Sequence, residues 1–245
     1  FPTFANTFLD HGLIKQLEGN YDEKFAQQEL MGEFVIFQGS VYYTFRRDKN
    51  SGDLAFEVAN YNPHMPICLC CDFNVNPMAW VVAQVHVVDG VKQIYVVDEI
   101  HMKDTNTREA CKEFKDRYPN HDAGVILYGD ATGRARSTTS NVTNWMIIRE
   151  ELKGYGIVDK VPRANPAERD RVNAVNGMIC NSKGERRVLV HPKCKKLIAD
   201  FEQVSYKEGT TQIDKTKDLR LTHPSDILGS KIRTYVRTAE RYEDL

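Results

Sequence analysis

The run Ile67-Cys68-Leu69-Cys70-Cys71, closed by Asp72-Phe73-Asn74, constrains the fold more than any other stretch of this chain. Five consecutive apolar residues suit a strand covered on both faces of a sheet. A carboxylate at the end of such a strand is costly unless a cation, a hydrogen-bond network or water meets it. Two further acids stand in equally polar, turn-rich settings: Asp130 in Tyr128-Gly129-Asp130-Ala131-Thr132-Gly133, and Asp226 in Leu221-Thr222-His223-Pro224-Ser225-Asp226. Taken singly, Asp72 reads as a turn residue and Asp226 as a carboxylate facing a helix N-terminus. Three together ask for a shared explanation.

The rhythm of the chain around them supplies an architecture. Ile67–Cys71, Ala79–Val88 and Gln93–Ile100 read as strands, the last two joined by the hairpin turn Val88-Asp89-Gly90-Val91. A helix follows over Arg108–Arg117, capped by Thr105 or Thr107, with Ala110, Cys111 and Phe114 at helical spacing. Val125–Tyr128 is a short apolar strand, Thr143–Leu152 a helix and Ile157–Lys160 a fifth strand; Asp226 opens a helix running to about Thr238, with Ser225 or Thr222 as its cap. Three antiparallel strands, a helix, a parallel strand, a helix and another strand is the order of a ribonuclease H-like sheet. The fold class expected is therefore α/β, a mixed central sheet flanked by helices.

If the first and fourth strands of such a sheet are neighbours, Asp72 and Asp130 emerge side by side and a third acid on a later helix can close the cluster. Three acids held close repel one another unless divalent cations sit between them. Oxygen-only ligation favours magnesium or manganese, and two such ions can activate a water and steady the leaving oxygen in phosphodiester hydrolysis.

Ahead of the sheet, residues 1–60 read as an N-terminal arm and residues 61–245 as the main domain. Helical spacing covers Phe8–Leu17 and Tyr21–Leu30, Phe34–Phe37 and Val41–Phe45 look extended, and Asp48–Asp53 looks like a loop; Arg46 and Arg47 read as solvated. A chain of 245 residues, 41% hydrophobic, can bury a full core. No apolar run approaches the roughly 20 residues of a membrane span and no signal peptide is visible, so a soluble intracellular protein is expected. The six cysteines read as small buried hydrophobes. A net charge of −1 hides an asymmetry: up to Asp130 there are 11 Lys/Arg against 19 Asp/Glu, and beyond it 22 against 15. That pattern suits either ordinary solvated surface or an acidic metal site flanked by a basic face for a phosphate backbone.

These motifs, in this order, resemble the C-terminal nuclease domain of the large terminase subunits of tailed bacteriophages. The resemblance rests on Asp72-Phe73-Asn74, Tyr128-Gly129-Asp130-Ala131-Thr132-Gly133 and Thr222-His223-Pro224-Ser225-Asp226-Ile227-Leu228-Gly229. It extends to Ala164-Asn165-Pro166 with Arg169-Asp170-Arg171-Val172-Asn173-Ala174-Val175-Asn176, and to Leu189-Val190-His191-Pro192-Lys193-Cys194. In the arm, Gln28-Glu29-Leu30-Met31-Gly32-Glu33-Phe34 looks like the segment with which the family's ATPase domain hands over to its nuclease. No G-x-x-x-x-G-K-[ST] is present, so an excised nuclease half is expected.

The resemblance implies a two-metal-ion endodeoxyribonuclease that cuts concatemeric viral DNA, with little sequence specificity, at the start and end of genome packaging. It puts Asp72, Asp130 and Asp226 on the family's metal-binding acids, with Mg2+ or Mn2+ as cofactor. Glu99, at the end of the third strand, reads either as a fourth ligand or as a solvated strand end. Asn74 suits a water-mediated metal contact or a turn cap. Basic residues gather around the acids in sequence: Arg134, Arg136, Lys160, Arg163, Arg186, Arg187, Lys215, Lys217 and Lys231 are the candidates for holding double-stranded DNA. The partners implied are the ATPase domain of the same full-length chain, the portal protein and the small terminase subunit, in the host cytoplasm and with no membrane. Two alternatives share the acids: a resolvase- or transposase-like nuclease of the same fold, and a non-catalytic docking module for a portal or motor.

Overall fold

The structure, a computed structural model, describes residues 21–22, 39–74, 76–134, 142–165, 167–214 and 223–242. Six strands form one mixed sheet: β1 (Ile67–Cys71), β2 (Met78–Val88), β3 (Val91–Met102), β4 (Val125–Gly129), β5 (Ile157–Asp159) and β6 (Val188–Val190), in the spatial order β5-β4-β1-β2-β3-β6. β1 runs antiparallel to β2 and β2 to β3, while β4 is parallel to β1, β5 to β4 and β6 to β3. The β2–β3 turn has Asp89 at φ 50° and Gly90 at φ 77°. Two successive positive-φ residues are the geometry whose twist matches a two-residue hairpin, which is why an Asp-Gly pair stands there.

Seven helices are described: α1 (Arg47–Asn50), α2 (Asp53–Val58), α3 (Thr107–Arg117), α4 (Asn144–Glu151), α5 (Glu168–Ile179), α6 (Lys195–Gln203) and α7 (His223–Tyr242). They cover both faces of the sheet. On one face Ile67, Leu69, Cys71, Trp80 and Leu127 pack with Cys111 and Phe114 of α3 and with Trp145 and Ile148 of α4. On the other, Cys68, Cys70, Val81 and Val96 pack with Val175 of α5, Leu197 and Phe201 of α6, and Ile227, Leu228 and Ile232 of α7. Every residue of β1 is buried, as an apolar strand between two helical layers must be. Each fully buried aliphatic side chain contributes about 1.5–3 kcal/mol, so the strip Ile227-Leu228-Ile232 alone anchors α7 firmly across the sheet.

The hairpin, β4, α3, α4 and β5 lie where periodicity puts them. α3 is capped by Asn106, whose side chain accepts from the backbone N–H of Arg108 and Glu109, and not by Thr105 or Thr107. The Thr105 hydroxyl instead donates to Glu109 Oε2, and that of Thr107 to Asn144 Oδ1. All six cysteines are free, and five of them are buried. Among the described residues no helix is long and apolar enough to cross a membrane.

Residues 39–60, assigned to the arm by sequence, pack onto the sheet: Val41, Tyr42 and Phe45 join one core cluster, Ala55 and Ala59 the other. Val41–Thr44 is a turn and not a strand, and the expected loop Asp48–Asp53 contains α1 and the start of α2. Asn50 supplies the reason. Fully buried, it accepts from the backbone N–H of Arg46 and donates to the carbonyls of Ile179 and Val188, which nails a polar segment to the end of α5 and to β6. The expected helices Phe8–Leu17 and Tyr21–Leu30, the piece Phe34–Phe37 and the handover segment Gln28–Phe34 lie outside the described residues, apart from 21–22.

Candidate active site

Strand register brings the first two acids together. Cys71 and Gly129 are Cα partners at the C-terminal ends of the parallel strands β1 and β4, and Asp72 and Asp130 are the next residue on each. Alternation along the strands puts both side chains on the face covered by α7, because Cys68 and Cys70, then Ile126 and Tyr128, pack on that face. Asp226 lies in the first turn of α7.

Glycines make this close approach possible. Gly129 has φ 152°, and a Cβ on it would stand 2.3 Å from the Cys71 carbonyl oxygen. A Cβ on Gly133 would meet the Phe73 ring at 2.2 Å. That ring packs edge-on against Trp145, with centroids 4.6 Å apart. The chain's two tryptophans, both fully buried, hold the strand ends from beneath: Trp80 Nε1 donates to the carbonyl of Asp72 at 3.0 Å, and Trp145 Nε1 to that of Asp130 at 3.1 Å. A buried indole N–H needs an acceptor, and here each one fixes the backbone of an acid.

The three carboxylates are each engaged by N–H donors. Asp72 Oδ1 accepts from the Phe73 backbone N–H, and Oδ2 accepts from Asn74 Nδ2 at 2.7 Å with His223 Nδ1 3.2 Å away. His223 is three residues before Asp226, so this contact places the first turn of α7 against the end of β1. Asp130 Oδ1 accepts from Asn165 Nδ2 at 2.6 Å, and Asn165 Oδ1 accepts from the Ala131 backbone N–H. Asp226 Oδ1 accepts from Arg171 Nη2 at 2.8 Å. The donor set, oxygen on every acid, fits a hard divalent cation. Among the described residues, however, no three acids are gathered closely enough to ligate one as they stand. Asn74, Asn165, His223 and Arg171 hold these carboxylates where they stand.

The other sequence candidates separate. Glu99 caps α6, with Oε1 accepting from the backbone N–H of Lys196 at 2.8 Å and Oε2 from that of Leu197 at 2.9 Å. It is therefore neither a solvated strand end nor turned to the other acids. Burial pushes its carboxyl above the ordinary glutamate value, against the pull of those two N–H groups. The α6 helix continues the relay, because Asp200 Oδ2, buried, accepts from the Ser225 backbone N–H at 3.1 Å. An acid from α6 thus holds the first turn of α7. Thr222 lies outside the described residues.

Lys160 and Arg163 are exposed and follow β5, which is parallel to β4, so they stand at the same end of the sheet as Asp130. Arg186 and Arg187 precede β6 and stand at the opposite end. There Arg186 donates to the Thr44 carbonyl and to Asn50, and Arg187 to Glu185. Lys231, expected at the DNA surface, is 1% exposed and lies over the Tyr128 ring, 5.7 Å from its centroid. A helix places residues four apart on one face, and Ile227 and Lys231 both turn toward the sheet. Arg134 closes the 3-10 turn Ala131–Arg134, while Arg136, Lys215 and Lys217 lie outside the described residues. Reading the sequence missed the site roles of Asn165, Arg171, His223 and the two tryptophans. His223 carried a usable signal, since it precedes Asp226 by a single helical turn.

A sheet in the order β3-β2-β1-β4-β5, with acids at the ends of β1 and β4 and a third on a helix crossing that face, defines a ribonuclease H-like α/β domain. No family model matches the sequence, and a search of curated proteins found no match. Among solved structures the fold is that of large terminases. The large terminase of a thermophilic bacteriophage superposes with a TM-score of 0.63 at 17% identity, over 97% of this chain and 54% of that one. The nuclease domain of the P22 large terminase superposes with a TM-score of 0.51 at 13% identity, over 74% of this chain and 84% of that domain. The chain therefore spans about half the length of the thermophilic phage's protein.

Proposed function

We propose that this chain is the nuclease part of a large terminase, a metal-dependent endodeoxyribonuclease that cuts concatemeric viral DNA with little sequence specificity at the start and end of packaging. The observation that carries this reading is the pairing of Asp72 with Asp130 across β1 and β4, under a helix whose first turn bears Asp226. When bound, magnesium or manganese ions supply the activated water and the charge on the leaving oxygen that phosphodiester hydrolysis needs. Asp72, Asp130 and Asp226 are the residues that would hold them.

The rest of the site works by positioning. Trp80 and Trp145 fix the backbones that carry two of the acids, and Asn74 and Asn165 set the carboxylate rotamers. Lys160 and Arg163 form an exposed basic flank that suits phosphate contacts beside the scissile bond. The ATPase domain of a longer chain, the portal protein and the small terminase subunit are the partners this reading requires. Supercoiled plasmid incubated with the chain and manganese tests it: nicking and linearisation that EDTA abolishes support the reading. A folded chain that binds DNA without cutting it would favour a docking module.

A further inference from the structure

The best-placed positive charge in the acid site is Arg171 of α5. Its Nη2 donates to Asp226 Oδ1 at 2.8 Å, with side chains 13% and 20% exposed respectively. Reaching that carboxylate depends on a bare spot on α7: a Cβ on Gly229 would stand 2.7 Å from Arg171 Cγ. The only other acid paired with it among the described residues, Glu168 on its own helix, is 4.0 Å away. Its Nε is buried without a hydrogen-bond partner among the described residues. A guanidinium in that position is held by Asp226 and by packing, and gives up part of its bonding capacity to be there.

We propose that Arg171 is a positioning residue whose fixed charge on Asp226 competes with a divalent cation, so that its guanidinium raises the cation concentration needed to load the site. The inference rests on the reading of Asp226 as a metal ligand. A carboxylate oxygen that accepts a short guanidinium contact keeps a lone pair for a cation, but part of its charge is already neutralised. A fixed positive charge at that distance also opposes the approach of a doubly charged ion. The neutral donors on the other acids, Asn74 and Asn165, impose no such repulsion. Arg171 therefore sets the cation concentration that the site demands, while keeping the Asp226 rotamer aimed at the groove.

Calorimetric titration of the whole chain with manganese alone, at low salt, separates this from a merely structural role. Arg171→Met, which keeps the stem that packs on Gly229, should bind manganese about tenfold more tightly than the wild type. It should nevertheless cut plasmid more slowly, because Asp226 loses the partner that orients it. Arg171→Lys should stay near the wild-type affinity. A loss of packing alone would weaken binding and cleavage together. Should Arg171→Met fail to fold, Arg171→Gln takes its place with the same expectation. Equal or weaker manganese affinity in the folded neutral variant overturns the inference. Manganese binding by neither the wild type nor the folded neutral variant overturns the metal reading of the acids, and this inference with it, so the two failures are told apart.

Discussion

Cys71 and Gly129 face each other as Cα partners on parallel strands, with the Cys71 carbonyl where a Cβ of residue 129 would have to be. This contact brings Asp72 and Asp130 to adjacent strand ends, and it tolerates nothing larger than glycine. Gly129→Ala should therefore destabilise the fold by about 2–4 kcal/mol, from a φ that side chains avoid combined with backbone overlap. Thermal melts of the variant check this, and an unchanged midpoint would show that the strands are free to part.

Asp200 links α6 to the turn that carries Asp226. Asp200→Ala leaves the Ser225 N–H buried without that acceptor, at a cost of about 1–3 kcal/mol. It should also slow cleavage beyond what the loss of stability explains, since the first turn of α7 is then free to fray. Hydrogen exchange at the Ser225 amide, compared with plasmid cleavage in the same variant, tests both parts.

Glu99 is predicted to be structural. Glu99→Gln should leave manganese affinity within about twofold of wild type, whereas loss of a metal ligand would cost roughly 10-fold or more. The pH dependence follows from its raised pKa: its contribution to stability is fully present below the ordinary glutamate value of 4.5 and is lost as pH rises through the higher folded value. The stability of the wild type relative to Glu99→Gln should therefore fall as pH is raised from about 4 to 7. Denaturation curves across that window decide it, and a wild type that gains stability relative to Glu99→Gln as pH rises would contradict the assignment.

Much of this architecture was legible because β1 is uniformly apolar and the hairpin announces itself through Asp89-Gly90. Asp72 and Asp130 were legible because each follows an apolar strand at its end, and Asp226 because it stands in a polar, turn-rich helix start. What was hidden was long-range. β6 and α6 are short, and what settles their place is pairing with Ile94–Val96 and capping by Glu99, partners far away in sequence. Lys231 looked like surface because lysine usually is, and only the orientation of α7 turns it under Tyr128. Arg186 and Arg187 looked close to the acids along the chain, yet β6 runs in the direction that carries them to the far end of the sheet.

The central claim is that Asp72, Asp130 and Asp226 form one metal-dependent cutting site. Its most direct test is cleavage of supercoiled plasmid in manganese by the wild type, by Asp72→Asn, Asp130→Asn and Asp226→Asn singly, and by the triple variant, with folding checked by thermal melts. The account predicts EDTA-sensitive cutting by the wild type, at least a ~100-fold loss in each folded single variant, and no comparable further loss in the triple, because groups that act as a unit are non-additive. Wild-type activity in any one folded single variant would contradict it.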